Sequence, residues 1–281
     1  GILIAVFGMR FLFPVLIVSI FSNLSIIKTI HLALEDVSQY THYLHIAHAP
    51  LVTFGGAFLM MVGLEYFFNE NKNLWLEKIE KVFINLKIRF LDIIITVFLI
   101  FGVQFFVNEA ERMHIIISGI TGILAYILIK QLCSLLEKKQ KGLISDGDTA
   151  YGNNNITKDI TNGAAKGGFM MFMYLELIDA SFSLDGVLGS FAISKDIVII
   201  TIGLAIGAMF VRSLTLVMVE MHTLKRYPYL SSGAHYAILT LAIIMFISTF
   251  YEVPEIITGT LGLIFVGSSF FASINENKKE A

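Results

Sequence analysis

The sequence predicts an all-α fold: a polytopic membrane helix bundle of about eight transmembrane helices arranged as inverted repeats. Three observations predict it. Of the 281 residues, 56% are hydrophobic and only 15% are charged, with a mean hydropathy of +0.77; a soluble domain carries about 25% charged residues. The apolar residues come in blocks of roughly 20, the length that crosses a bilayer as a helix. Lys and Arg alternate between connections, as a chain threaded back and forth across a membrane requires.

The apolar blocks are 1–22, 47–68, 91–107, 113–136, 168–193, 196–219, 233–251 and 254–273. The third, at 17 residues, sits at the lower limit for a hydrocarbon core about 30 Å thick. Backbone polar groups in lipid are satisfied within their own segment, so helices rather than strands are expected. Residues 70–89 (ENKNLWLEKIEKVFINLKIR) alternate charged and apolar groups at helical spacing and predict an amphipathic interfacial helix. Residues 137–167, rich in Gly, Asn, Asp and Lys, predict a flexible linker. The chain then divides into a first membrane repeat at 1–136, a cytoplasmic linker at 137–167, a second membrane repeat at 168–273 and a cytoplasmic tail at 274–281. FGGAF at 54–58 and SGITG at 118–122 bring small residues to helix faces and favour close packing.

The charge distribution orients these elements. Connections 69–90, 130–167, 220–232 and 274–281 hold 15 of the 20 Lys and Arg; the alternating set 23–46, 108–112, 194–195 and 252–253 holds 3. This bias assigns the first set, and both ends of this chain, to the cytoplasmic face of the cell (inner) membrane. Arg10 and Arg212 fall inside apolar blocks.

Those two arginines also mark a repeat. GILIAVFGMRF at 1–11 and GLAIGAMFVRS at 203–213 each begin with Gly, run apolar and reach Arg nine residues on. YLHIAHA at 43–49 is echoed by YLSSGAHY at 229–236. Four helices separate the two Arg segments, so the copies are expected to cross in opposite senses, the inverted-repeat plan of many secondary transporters. In the second copy an acidic segment precedes the Arg segment, with Asp185 27 residues before Arg212. The matching position in the first copy lies before Gly1, so a first acidic helix is expected upstream of this sequence.

That acidic segment, YLELIDASFSLDGVLGS at 174–190, carries Glu176, Asp179 and Asp185 in an apolar setting. Three mid-span carboxylates cost about 9 kcal/mol on insertion scales, against roughly 5 kcal/mol returned by the Leu, Ile, Val and Phe of 168–193. Such a helix belongs inside a bundle, its carboxylates paired, protonated or bound to a cation. Glu176, Asp179 and Ser183 share one helical face at i, i+3 and i+7. Asp185 points elsewhere on an unbroken helix, and a break at Gly186 or Gly189 brings it to the same cavity. Carboxylate, hydroxyl and carbonyl oxygens are hard ligands that suit Mg²⁺, Ca²⁺ or Mn²⁺. A proton relay and purely structural pairing with Arg10 and Arg212 are the other readings. Next to a cation site, Arg212 and Arg10 are expected as charge partners or gates.

Other candidates are weaker. His42, His45 and His48 recur every third residue on the expected outer side, with His31 and Glu35 upstream. They read either as an outer metal-collecting cluster or as an interfacial polar group. Three-residue steps drift by about 60°, which works against one tetrahedral site. Met170, Met171 and Met173 read as packing rather than soft-metal ligands. The lone Cys133 excludes an intramolecular disulfide and a thiolate cluster, and a net charge of −2 gives no reason to expect nucleic acid. No nucleophile–base set, phosphate loop or zinc-protease spacing is present, so an enzyme is not expected.

YLELIDASFSLDGVLGSFAIS at 174–194, FGGAFLMMVGLEYFF at 54–68 and the paired Arg segments resemble the TerC-like integral membrane proteins, closest to a longer branch of them. The resemblance covers nearly the whole chain. It implies a superfamily of membrane exporters, with manganese efflux for some members, and an acidic helix in each half. The second-half acids fall on Glu176, Asp179 and Asp185; the first-half motif has no counterpart here. The expected function is export of a divalent cation, Mn²⁺ favoured, through a carboxylate-lined midplane site. The alternative is a non-transporting membrane scaffold of a stress or tellurium-resistance complex. Expected partners are the lipid bilayer and the metal ion as substrate, with room for a homo-oligomer and no permanently bound cofactor.

Overall fold

The computed structural model describes residues 13–21, 24–69, 73–85, 90–147, 197–221, 226–251 and 253–280. These residues are 89% helix, with no strand among them. The helices are α1 (Phe13–Phe21), α2 (Ile26–Glu35), α3 (Val37–Phe68), α4 (Glu77–Asn85), α5 (Leu91–Val103), α6 (Glu109–Gly147), α7 (Ile197–Glu220), α8 (Leu230–Ser248) and α9 (Glu255–Glu280).

Local chemistry sets the boundaries. Ser25 caps α2 by accepting from the Lys28 amide at 3.3 Å. One residue, Asp36, separates α2 from α3: its amide donates to the Leu32 carbonyl and its side chain accepts from the Gln39 amide at 3.1 Å. From there α3 runs 32 residues, about 48 Å. Pro50 lies inside it and removes one backbone donor.

α3 is the axis of the molecule. Among the described residues it packs against α1, α2, α4, α5, α6 and α8. Its apolar window, His45–Phe68, is 78% buried, against 6% for Ile199–Met218 of α7 and 11% for Ile256–Lys279 of α9. A helix that is apolar on every side has to be enclosed by other helices or by lipid. Around its C-terminal half, Phe58, Leu59, Met61 and Leu64 meet Ile100 of α5, Ile115 and Ile123 of α6, and Ala242, Met245 and Phe246 of α8. Around its N-terminal half, Tyr40, Ala47 and Leu51 meet Val15 and Val18 of α1, Ala33 of α2 and Ile200 of α7.

Small residues of 54–58 and 118–122 make close approaches between helices, as their positions predict; Gly63 and Gly233, outside those stretches, are equally tight against Leu239 and Ser269. A Cβ on Gly122 would stand 2.5 Å from the Phe54 carbonyl oxygen and 3.2 Å from the Ala57 Cβ. A Cβ on Gly56 would stand 3.2 Å from the Met245 Cβ. Gly122 thus seats α6 on α3, and Gly56 seats α8 on α3.

Among the described residues five helices are long and apolar enough to cross a membrane: His45–Phe68, Glu111–Gln131, Ile199–Met218, Leu230–Ser248 and Ile256–Lys279. The expected segment at 91–107 is a shorter apolar helix, Leu91–Phe106, whose last turn is 3₁₀. Thirteen α residues and one 3₁₀ turn rise about 26 Å, short of a full hydrocarbon core. Of the expected first segment, Phe13–Phe21 is described and helical; the expected segment 168–193 lies outside the described residues. Helix α6 continues past the expected repeat boundary at 136 to Gly147, so the start of the expected linker is helical. Its Glu137, Lys138, Lys139, Gln140 and Lys141 are strong helix formers.

The basic connections gather at one end of the bundle. Lys130 of α6 pairs with Glu65 near the end of α3 at 2.5 Å. Ser232 of α8 donates to the Asn73 carbonyl at 3.0 Å. The Asn277 side chain of α9 donates to the Arg226 carbonyl at 2.8 Å. At the other end Phe106 stacks on Phe250, with ring centroids 5.0 Å apart.

Gly122→Ala is expected to lower stability by about 1–3 kcal/mol, because the clash is with backbone that cannot swing aside. Gly259→Ala on α9, where no described residue lies within 4 Å, is expected to be neutral or slightly stabilising. Thermal unfolding in detergent checks the pair; equal melting of both variants would show that α6 does not rest on α3 at Gly122.

Candidate functional site

The expected cation ligands Glu176, Asp179, Ser183 and Asp185, and the expected charge partner Arg10, lie outside the described residues. Arg212 lies on α7, inside the Ile199–Met218 stretch, as its apolar block predicts. His42, His45 and His48 lie on α3, near the end opposite the basic connections. His42 and His45 are exposed and His48 is half-buried. On α2, His31 Nδ1 lies 3.2 Å from a Glu35 carboxylate oxygen. Among the described residues no group of three or more His, Cys, Asp or Glu is placed to hold a metal ion.

The structure assembles a different polar site, at the basic end, where α3 finishes, α4 lies across and α8 begins. Glu80 of α4 is fully buried. Its Oε1 accepts from the backbone amides of Trp75 at 3.2 Å and Leu76 at 3.1 Å, and from the Tyr236 hydroxyl of α8 at 3.5 Å. The carboxylate reaches back over the first turn of its own helix, in the manner of a capping box, and places negative charge where the helix dipole favours it. Beside it, Ser232 spends its single proton on the Asn73 carbonyl, so at the 2.9 Å contact with Tyr66 the tyrosine hydroxyl is the donor. His235 stacks flat on Tyr66, with centroids 3.7 Å and planes 8° apart. Its Nδ1–H donates to the Ser231 carbonyl at 2.7 Å, since a carbonyl can only accept. The Trp75 ring meets Tyr236 edge-on at 5.7 Å, and Tyr236 packs on Phe67 at 4.6 Å and Phe265 at 5.8 Å.

This site couples four elements. Glu80 fixes the start of α4 to α8, Tyr66 and Ser232 fix the end of α3 to α8, and Lys130 with Glu65 fixes α3 to α6. Glu80 Oε1, the Tyr66 and Ser232 hydroxyls and His235 Nδ1 are each engaged in hydrogen bonds within this cluster, which suits positioning of the helices. The available signal in the sequence was the aromatic clustering in EYFF and YPYLSSGAHY, typical of residues at a membrane–water boundary. Burial of Glu80 had no such signal, because its neighbours Glu77, Lys78 and Lys81 are exposed.

A family model described as Protein of unknown function (DUF475) matches residues 1–280. The chain belongs to this family. The DUF475 match spans the acidic segment 174–190 and both Arg segments as well as the described helices. No curated protein and no solved structure matches the chain.

Glu80→Leu removes the acceptor for two amides and a hydroxyl, and is expected to cost about 1–3 kcal/mol and to red-shift the emission of Trp75, the single tryptophan. Glu80→Gln keeps an acceptor oxygen and is expected to lose less. Unfolding and fluorescence of both variants check this; native-like behaviour of the Leu variant would refute the anchoring role.

Proposed function

We propose that this DUF475 chain is part of a membrane transporter that exports a divalent cation, Mn²⁺ favoured, through a carboxylate-lined site near the bilayer midplane. The observation that carries the reading is Glu176, Asp179 and Asp185 standing within one apolar block, in a chain whose described residues include five helices long and apolar enough to cross a membrane. Carboxylates in such a block are retained at a cost and mark ion or proton pathways. Ser183 supplies a further hard oxygen on the face of Glu176 and Asp179.

Connectivity supports the assignment of Arg212. It lies 15 residues into α7, about 22 Å along the helix. The acidic block 168–193 precedes it in sequence through the short connection 194–195, which makes Asp179 or Glu176 the partner this reading assigns to Arg212. Arg212, with Arg10 in the other repeat, then balances the carboxylates in the empty state and yields them when the cation arrives. His42 and His45 meet the ion singly at the opposite end from the basic connections. In this reading the chain is built of inverted repeats, lies in the inner membrane with both ends cytoplasmic, and shares its acidic helix with the TerC-like proteins it resembles.

Cellular Mn²⁺ is the direct readout. Expression of the intact protein is expected to lower it several-fold under Mn²⁺ load, and Asp185→Asn, present at equal abundance in the membrane, is expected to restore it. Cell Mn²⁺ unchanged by either protein favours the membrane scaffold instead.

A further inference from the structure

We propose that the outward face of α4 is a binding site for anionic phospholipid headgroups. The inward side of α4 is fixed: Glu80 is buried, and Phe83 packs on Phe67 and Phe68 of α3 with ring centroids at 5.8 and 6.0 Å. The outward side carries two stripes. Ile79 and Val82, three residues apart, are 48% and 57% exposed. Lys78 and Lys81, also three apart, are exposed beside them.

An apolar stripe flanked by lysines fits a leaflet, with the aliphatic groups at the acyl boundary and the ammonium groups at the phosphates. Depth agrees with this. Trp75, at the start of α4, packs on Tyr236, six residues into α8 and about 9 Å along it. That is headgroup and upper acyl depth, where Trp and Tyr collect and which lipid covers around the bundle. Charge selects the lipid. Residues 69–90 carry Lys72, Lys78, Lys81, Lys87 and Arg89 against Glu70, Glu77 and Glu80. Glu80 is buried at its own hydrogen bonds. Glu77 is engaged by Lys81 at 2.6 Å, and that hydrogen bond and charge hold its carboxyl below the usual carboxylate range. On the described outward face of α4, Lys78 and Lys81 stand against Glu77 alone, so that face is net cationic and attracts an anionic surface.

Trp75, the single tryptophan, is a reporter already in place. The full protein in vesicles of phosphatidylcholine with a minor fraction of brominated phosphatidylglycerol is expected to show about threefold more Trp75 quenching than with the same fraction of brominated phosphatidylcholine. The excess is expected to fall at high salt, to vanish in Lys78→Gln/Lys81→Gln and to persist in Lys78→Arg/Lys81→Arg. Circular dichroism confirms that both variants keep native helix content. Equal quenching by the two lipids, or an excess that survives the Gln substitutions, overturns the proposal. No quenching by either lipid also overturns it, and points to a protein covering α4. None of these outcomes depends on which ion the molecule carries.

Discussion

The close seating of α6 and α8 on α3 is the contact from which the rest of the described bundle follows. It is made where side chains are absent: Gly122 meets the Phe54 backbone, and Gly56 meets Met245 and the Ala242 carbonyl. Between helices in lipid there is little hydrophobic drive, so dispersion over closely fitted surfaces does the work, and any added Cβ separates them. With α6 and α8 held at that distance, Phe58, Met61, Ile100, Ile115 and Met245 close around α3 as one apolar core.

The two ends of α3 differ in a way that bears on function. Its N-terminal half extends beyond Pro50 to α1, α2 and the start of α7 through Ile200. Its C-terminal end is locked by polar contacts: Glu65 to Lys130, Tyr66 to Ser232 and, through Phe67 and Tyr236, to the buried Glu80. The C-terminal end is thus tied by several directional bonds between helices. The C-terminal end of α3 with α4, α6 and α8 has the bonding of a fixed frame, which is the part the proposed transporter would keep still. α7 has few of its faces enclosed by described residues and carries Arg212.

Much of this was legible in the residues. The blocks 47–68, 113–136, 196–219, 233–251 and 254–273 match the observed membrane-length helices to within a few residues, because the cost of apolar surface and unpaired backbone in lipid leaves one solution. The close packing at Gly56 and Gly122 was legible from spacing; that at Gly63 and Gly233 was not, because each stands alone in its stretch. The end of α6 was not: composition read 137–147 as linker, while its Glu, Lys and Gln continue the helix. Glu80 was missed because its burial depends on packing against Tyr236, distant in sequence, as well as on its local bonds to the Trp75 and Leu76 amides. For the candidate ion site, Glu176, Asp179 and Asp185 were legible as an energetic cost, which is a statement about need. Their ligand geometry is a property of the packed bundle and is not encoded in their spacing.

The central claim joins the frame to those carboxylates: a bundle built on α3 that carries a divalent cation past Glu176, Asp179 and Asp185. Mn²⁺ flux into proteoliposomes containing the intact protein, read by quenching of a trapped dye, tests it most directly. The account predicts a flux that saturates with Mn²⁺ and falls to the protein-free rate in Glu176→Gln/Asp179→Asn, with the variant's helix content and melting unchanged. A native protein that passes Mn²⁺ no faster than protein-free vesicles would contradict it.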